Sequence, residues 1–506
     1  MTKKLFNLLV IASMLLVLLP AVAAAAPPQA GQDYVVVKDD TLSKLADKYL
    51  GNLLSWPAVM ALTNQKAAAD KTYAKISNAD QIEVGMKIYI PDKAEADKFM
   101  ATYDPGNPGM LFAGGAKGKL IVGSWWTAGG EAEGLNGLFK IYAQKYPDVE
   151  IINATTAGGS GINFKAQLAT RLIGGAPPDT FQLHAGMEVQ MYSPEKYLLP
   201  VDDVYASEGL EQVFPKDLLT MLKAYGGHYW GVPVNIHRSN VMWYNKAVFE
   251  ANGLKPPTTF EEFKTVAEAL KAKGIVPFAM GTKEGWEAAH VFEDVLAGTL
   301  GAEKYRGLWT GATKWSDPDV TKALENFKMM LSYRNTDSDA LTWDGAGQYL
   351  IDGTGAMEIM GDWENGWFTS KNFTGYGWAP PPGTKGIFVA LSDSFALPAK
   401  APDMENAKNW LRVAGSKEGQ ELFNPLKGSI CARTDCDPKL FNPYSQSAMV
   451  DWSQDAIVPS MHHGAAAIAS WVVAYDNTMK LFVTSGDVAA TQAALGQACV
   501  DAGVCE

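Results

Sequence analysis

The residues best suited to chemistry in this chain stand where apolar runs end. Ser124-Trp125-Trp126 follows Leu120-Ile-Val directly, and Glu131 comes shortly after. Gln182 and His184 are two apart in Asp179-Thr-Phe-Gln-Leu-His, so on a strand they share one face. Gly361-Asp362-Trp363 closes the run Ala356–Met360, and Leu391-Ser392-Asp393-Ser394 repeats the theme. In open α/β sheets, ligands sit beyond the carboxyl ends of strands. Indoles beside carboxylates, amides, lysine and imidazole suit a saccharide. The C–H faces of a sugar lie flat on indole rings, and its hydroxyls both donate and accept, with charged partners contributing about 1.5–3 kcal/mol each. Glu131 and Asp393 also admit a second reading, as the acid and base of a glycoside hydrolase. Adjacent strand residues face opposite sides, so Trp125 and Trp126 reach one pocket only if the strand has already turned. The residues alone favour one indole in the core and one on the ligand.

Other chemistries find little support. The sequence has no G-x-x-x-x-G-K-[ST], no H-E-x-x-H and no G-x-S-x-G. Gly158-Gly159-Ser160-Gly161 lacks a following lysine and reads as a turn rather than a phosphate cradle. Six histidines are too few for a metal cluster beside other roles, so neither a metal nor any other cofactor is expected. A formal charge of −12 argues against coating nucleic acid. The 47% apolar content over 506 residues rules out disorder and predicts large packed cores.

The elements that must position these groups are legible in outline. Residues 1–26 carry Lys3-Lys4, an apolar run and an A-x-A site, the pattern of a secretory signal, so the protein is expected outside the cytoplasm, in the periplasm or at the cell surface. Export makes disulfides the expected state of Cys431, Cys436, Cys499 and Cys505, with the local pairs 431–436 and 499–505 the simplest. Residues 33–92 form a small βααβ unit: a strand at Tyr34–Val37, a helix from Leu42 capped by Asp40-Thr41, a helix at Trp56–Leu62 and a strand at Met86–Ile90. Residues 93–118, with Asp104-Pro-Gly-Asn-Pro-Gly, read as a flexible linker. From residue 119 to 506 strands and helices alternate, which argues an α/β fold, and the length favours two lobes over one sheet. Thr258-x-x-Glu261 reads as a capping box opening a helix that ends at Gly274.

Two resemblances sharpen this outline. Tyr34-Val-Val-Val, Asp40-Thr41-Leu42, Trp56-Pro57 and Val84-Gly-Met-Lys-Ile-Tyr-Ile-Pro91 resemble the lysin motif (LysM), a module that binds N-acetylglucosamine-containing glycans such as peptidoglycan. Lys38-Asp39 stands where that family usually has glycine, and residues 66–72 lengthen the stretch before the last strand. From Lys119 onward the chain resembles the substrate-binding proteins of carbohydrate ABC transporters, and within them the glucose-binding group. The resemblance is carried by Ser124-Trp-Trp, Gly174–Glu188, Val232–Tyr244, Met360-Gly-Asp-Trp363, Leu391–Pro398, Asn424-Pro-Leu-Lys-Gly-Ser429 and His463-Gly464. It implies a two-lobe periplasmic-binding-protein fold with an interlobe cleft, a monosaccharide ligand, a membrane permease as partner and no catalysis. It further implies that Trp125, Trp126, Glu131, Gln182, His184, Asp393, Lys427 and His463 hold the sugar, with Trp343 and Trp363 as stacking platforms. The alternative is a wall-associated glycoside hydrolase.

Overall fold

The computed structural model describes residues 31–76, 79, 82–101, 103 and 116–506. The chain separates into two compact units, 1–115 and 116–506. The signal-like segment 1–26 lies outside the described residues, as do 104–115 of the expected linker. Among the described residues no helix is long and apolar enough to cross a membrane.

In the first unit, strands Gln32–Val35 and Lys87–Ile90 pair antiparallel, with Tyr34 opposite Ile88. Helix Leu42–Leu50 buries Leu42, Leu45, Ala46 and Leu50, the stripe that its i, i+3, i+4 spacing dictates. Thr41 caps it by accepting the Lys44 N–H at 3.2 Å. Helix Trp56–Ala69 runs past the expected end at Leu62. Its Asn64 side chain exchanges two hydrogen bonds with the Ile76 backbone, of 2.7 and 2.9 Å, which anchors the lengthened loop. Lys93–Met100, expected as linker, is instead an α-helix. Asp92 and Glu95 form a capping box at its start, and Ala96, Phe99 and Met100 pack on the core of the first unit.

The second unit has two lobes. The sheet of the first lobe orders its strands Val149–Thr155, Gly118–Ser124, Thr180–His184, Asp393–Pro398 and Leu198–Leu199, with Gly231–Pro233 also paired to Asp393–Pro398. The first three are parallel, and Asp393–Pro398 runs against them. The second lobe holds a sheet of Val276–Phe278, Gly355–Ile359, Met242–Asn245 and Tyr376–Ala379, and a smaller one of Ala456–Pro459, Ile387–Leu391 and His237–Arg238. Its core gathers Phe263, Phe278, Phe292, Phe327, Trp309 and Tyr475 around helix Trp286–Thr310, which kinks at Gly301.

Two chain segments pass between the lobes side by side. One runs from Gly231–Pro233 to His237–Arg238, the other from Ile387–Leu391 to Asp393–Pro398, and they pair antiparallel at both ends. Between them Asn235 and Ser392 interlock: Ser392 Oγ donates to the Asn235 carbonyl at 2.7 Å, and the Asp393 N–H donates to Asn235 Oδ1 at 2.8 Å. Asp393 is thereby fixed at the crossing point.

One helix start departs from expectation by a single residue. The capping box of helix Phe260–Lys271 is Thr259 with Glu262, not Thr258 with Glu261, and the helix stops before Gly274. Thr258 also binds Glu262, through its own N–H and hydroxyl, both at 2.7 Å. Both disulfides are local, Cys431–Cys436 and Cys499–Cys505.

Candidate functional site

Strand Gly118–Ser124 stops where the sequence places its last polar residue, and the chain turns there. Ser124 Oγ donates to Gln182 Oε1 at 2.6 Å and accepts the Trp126 N–H at 3.1 Å, while the Trp125 N–H reaches Gln182 Oε1 at 3.3 Å. This turn lets both indoles line one cavity, where the alternation of a continuing strand would have separated them. Trp126 keeps a core role as well, packed on Phe395 and Phe423.

The cavity lies between the lobes and has a volume of about 220 Å³. Trp125, Trp126, Glu131, His184, Trp343, Trp363, Asp393, Lys427 and His463 all line it. Gln182 is the exception. It is fully buried behind Asp393 and donates through Nε2 to Asp393 Oδ1 at 2.8 Å, so it positions the carboxylate rather than facing the cavity.

Asp393 is the most heavily supported group of the site. Asn235 Nδ2 donates to Oδ2 at 2.9 Å, and His237 Nε2 lies 3.2 Å from the same oxygen. His184 Nε2 is 3.8 Å from Oδ1. Burial alone would push the carboxyl upward, but the His237 bond and charge, with Lys427 and His184, hold it well below the usual carboxylate range. His237 is bonded on its other side to Asp362. Burial opposes its protonation, the Asp362 carboxylate outweighs that, and the imidazole is raised above its ordinary value. A buried chain Asp362–His237–Asp393 therefore keeps a carboxylate charged at the cavity wall.

Lys427 is the amine of the lining, with only 3% of its side chain exposed. Its Nζ donates to Glu131 Oε1 at 2.7 Å and lies 5.9 Å from the Trp126 ring and 5.8 Å from the Trp363 ring. An ammonium has three protons, so this pairing leaves donors for a ligand. Helix Lys417–Lys427 carries it in its last turn and ends at Gly428, whose φ is 94°. A side chain there would overlap the Gly366 and Asp362 backbone, so glycine lets the helix end sit against Trp363–Ser370.

His184 and His463 bound the cavity edge-on, 5.5 Å apart. His184 Nδ1 is 2.8 Å from Glu188, which also takes an ion pair from Lys165 at 2.7 Å. Burial raises Glu188, but Lys165 and His184 overcome it and bring the carboxyl down to about 2. His463 is held neutral: burial and then the rings of His462, His184 and His290 lower it well below its ordinary value. Trp363 stands against His237 and His463, at 5.5 and 5.3 Å, and Trp343 meets Trp367 edge-on at 6.1 Å.

Sequence reasoning missed several lining residues, namely His237, Glu284, Trp286, Asp344 and Trp367. Trp367 had a signal, since it stands one helical turn after Trp363 and shares its face. His237 lay in a run already singled out, but its short strand gave no clue to the Asp362 bond. Among the described residues no cluster of three or more His, Cys, Asp or Glu is arranged to hold a metal ion.

Residues 117–421 match the model of the bacterial extracellular solute-binding proteins, and residues 34–91 match the LysM domain. The chain belongs to the bacterial extracellular solute-binding protein family. Among the relatives of this solute-binding protein is an uncharacterized ABC transporter extracellular-binding protein of Pyrococcus horikoshii. It is 38% identical over 377 residues, which span 73% of this chain and 85% of the relative. A probable sugar-binding periplasmic protein of Brucella suis is 31% identical over 366 residues, covering 69% and 84%. The crystal structure of the bacterial solute receptor AcbH, described as exclusive for β-D-galactopyranose, shares the fold. Its TM-score is 0.69 at 21% identity, over 76% of this solute-binding protein and 99% of the receptor.

Proposed function

We propose that this solute-binding protein captures a neutral monosaccharide, glucose or a close relative, between its two lobes and hands it unaltered to an ABC-transporter permease. The observation that carries the reading is the lining of one small cavity. Six indoles, at Trp125, Trp126, Trp286, Trp343, Trp363 and Trp367, surround a charged acceptor, Asp393, and a charged donor, Lys427. Indole faces suit the C–H surfaces of a pyranose, and the opposed charges suit neighbouring hydroxyls that each accept and donate. A cavity of about 220 Å³ is smaller than the ~300–1,000 Å³ of typical drug-sized pockets, which favours one ring over a chain.

The same geometry disfavours hydrolysis. A glycosidase needs a protonated general acid, whereas Asp393 is held charged and Glu131 is engaged by Lys427. Residues 1–26 would direct export, residues 33–92 would hold the protein at peptidoglycan, and residues 119–506 would bind the sugar. A thermal-shift panel of neutral, acidic and phosphorylated monosaccharides tests the ligand class. Glucose or a close epimer should raise the melting temperature, and a panel in which only acidic sugars do so would reject the reading. Retention of the full chain on purified peptidoglycan, compared with residues 116–506 alone, tests the wall attachment; equal retention would reject it.

A further inference from the structure

One corner of the cavity is lined by backbone as well as by side chains. The loop after strand Val149–Thr155 in the first lobe is bent into a shape that L-residues resist: φ is 147° at Gly158, 49° at Ser160 and 75° at Gly161. Asn163 Nδ2 ties the loop at 2.9 Å to the Ala157 carbonyl. Gly161 sits on the Trp125 indole so closely that a side chain there would overlap the ring.

The second lobe meets this loop with Glu284 and Trp286. The Gly159 N–H donates to Glu284 Oε1 at 3.3 Å, and Trp286 Nε1 donates to Glu284 Oε2 at 3.0 Å. Trp286 lies parallel to His462, with ring centres 5.7 Å apart, and His462 Nδ1 is 2.7 Å from Asp476. One carboxylate thus joins a preformed loop of the first lobe to a braced indole of the second. Approach this close requires glycine at position 159, because a Cβ there would overlap both the Glu284 carboxylate and the Trp286 nitrogen.

We propose that Gly159, Glu284 and Trp286 form an interlobe clasp that determines ligand length: one sugar ring is enclosed, and a saccharide extending past Trp286 is refused. A longer ligand leaving by this corner must break the Gly159–Glu284 bond and part the lobes. It also leaves a carboxylate and an amide that lose their partners as they are desolvated. The inference rests on the saccharide reading above and adds the residues that set its size limit.

Two variants and two measurements test it. Glu284→Ala removes the shared acceptor, and Gly159→Ala keeps every cavity side chain while pushing the clasp apart. Calorimetry with glucose, maltose and maltotriose on the full chain should show glucose bound at least tenfold more tightly than maltose. Each variant should shrink that preference by about tenfold, the effect of one charged hydrogen bond. Hydrogen exchange on the sugar-free chain should show faster exchange across residues 157–163 in Glu284→Ala than in the parent. An unchanged glucose-to-maltose ratio in both variants overturns the clasp, as does a parent that binds both sugars equally. A parent that binds no saccharide overturns the saccharide reading and the length rule together. The exchange experiment needs no sugar, and equal exchange rates would overturn the clasp by itself. Circular dichroism confirms that both variants fold.

Discussion

Replacing Asp393 by Asn changes little in volume and removes the charge held at the crossing point between the lobes. In the parent, Gln182 Nε2 and Asn235 Nδ2 both donate to this carboxylate, and His237 faces it at 3.2 Å. An amide in its place has one acceptor and two hydrogens, so one of those neighbours meets a donor instead of a lone pair. The affinity loss has a separate origin, since a sugar hydroxyl that donated to a carboxylate now donates to a neutral amide or to nothing. A charged hydrogen bond contributes about 1.5–3 kcal/mol, so the dissociation constant of the cognate sugar should rise roughly ten- to a hundredfold. Stability should fall as well, and with a defined pH dependence. The carboxyl is held below its ordinary value in the folded chain, so its contribution is present above the unfolded value of 3.8 and is lost as pH falls through the folded one. The parent and Asp393→Asn should therefore differ in melting temperature at pH 7 and converge on acidification. Calorimetry at pH 7, with thermal melts at pH 7 and in acid, reads both effects. A variant that binds the cognate sugar like the parent would show that the ligand does not use this carboxylate.

Trp363→Ala removes an indole that stands against His237, His463 and Trp286, and it should weaken every sugar bound by about the same factor, read as parallel shifts across a calorimetric panel. Glu188 is held at about 2 against an ordinary 4.5, so its stabilisation is complete above pH 4.5 and is lost on acidification towards pH 2. Lys165→Met, which removes the ion pair, should move acid unfolding to higher pH, followed by circular dichroism. Glu358 and Glu364 are buried beside each other and are both raised well above the ordinary carboxyl range, first by burial. The unfolded chain releases these protons above about pH 4.5 while the folded chain keeps them, so stability falls as pH rises. Glu358→Gln, whose amide can donate to Glu364, should raise the melting temperature more at pH 9 than at pH 5; an equal rise at both would contradict that linkage.

Local pattern was readable wherever the cause is local. The stripe Leu42, Leu45, Ala46 and Leu50 is set by helical spacing, and it appears as written. The box at Thr259 and Glu262 was displaced by one because Thr258-Thr259 and Glu261-Glu262 fit the same pattern twice, and only the backbone geometry chooses between them. Helix Lys93–Met100 stands beside Asp104-Pro-Gly, whose composition reads as linker, and its only local signal is the Asp92 and Glu95 cap. At the site, strand ends pointed to Trp125, His184 and Asp393. Trp343, Lys427 and His463 came only through resemblance, since a helix start, a helix end and a loop supply them. Glu284 gave no signal at all. Its role follows from a bond to Gly159, 125 residues away, and no spacing rule reaches that far.

Native mass spectrometry of the full chain with glucose tests the central claim most directly, paired with chromatography of the recovered sugar. The account predicts one hexose added per chain, the adduct lost in Trp363→Ala, and glucose recovered unaltered. It would be contradicted by a chain that takes up no neutral monosaccharide, or by one that returns a cleaved or newly linked product.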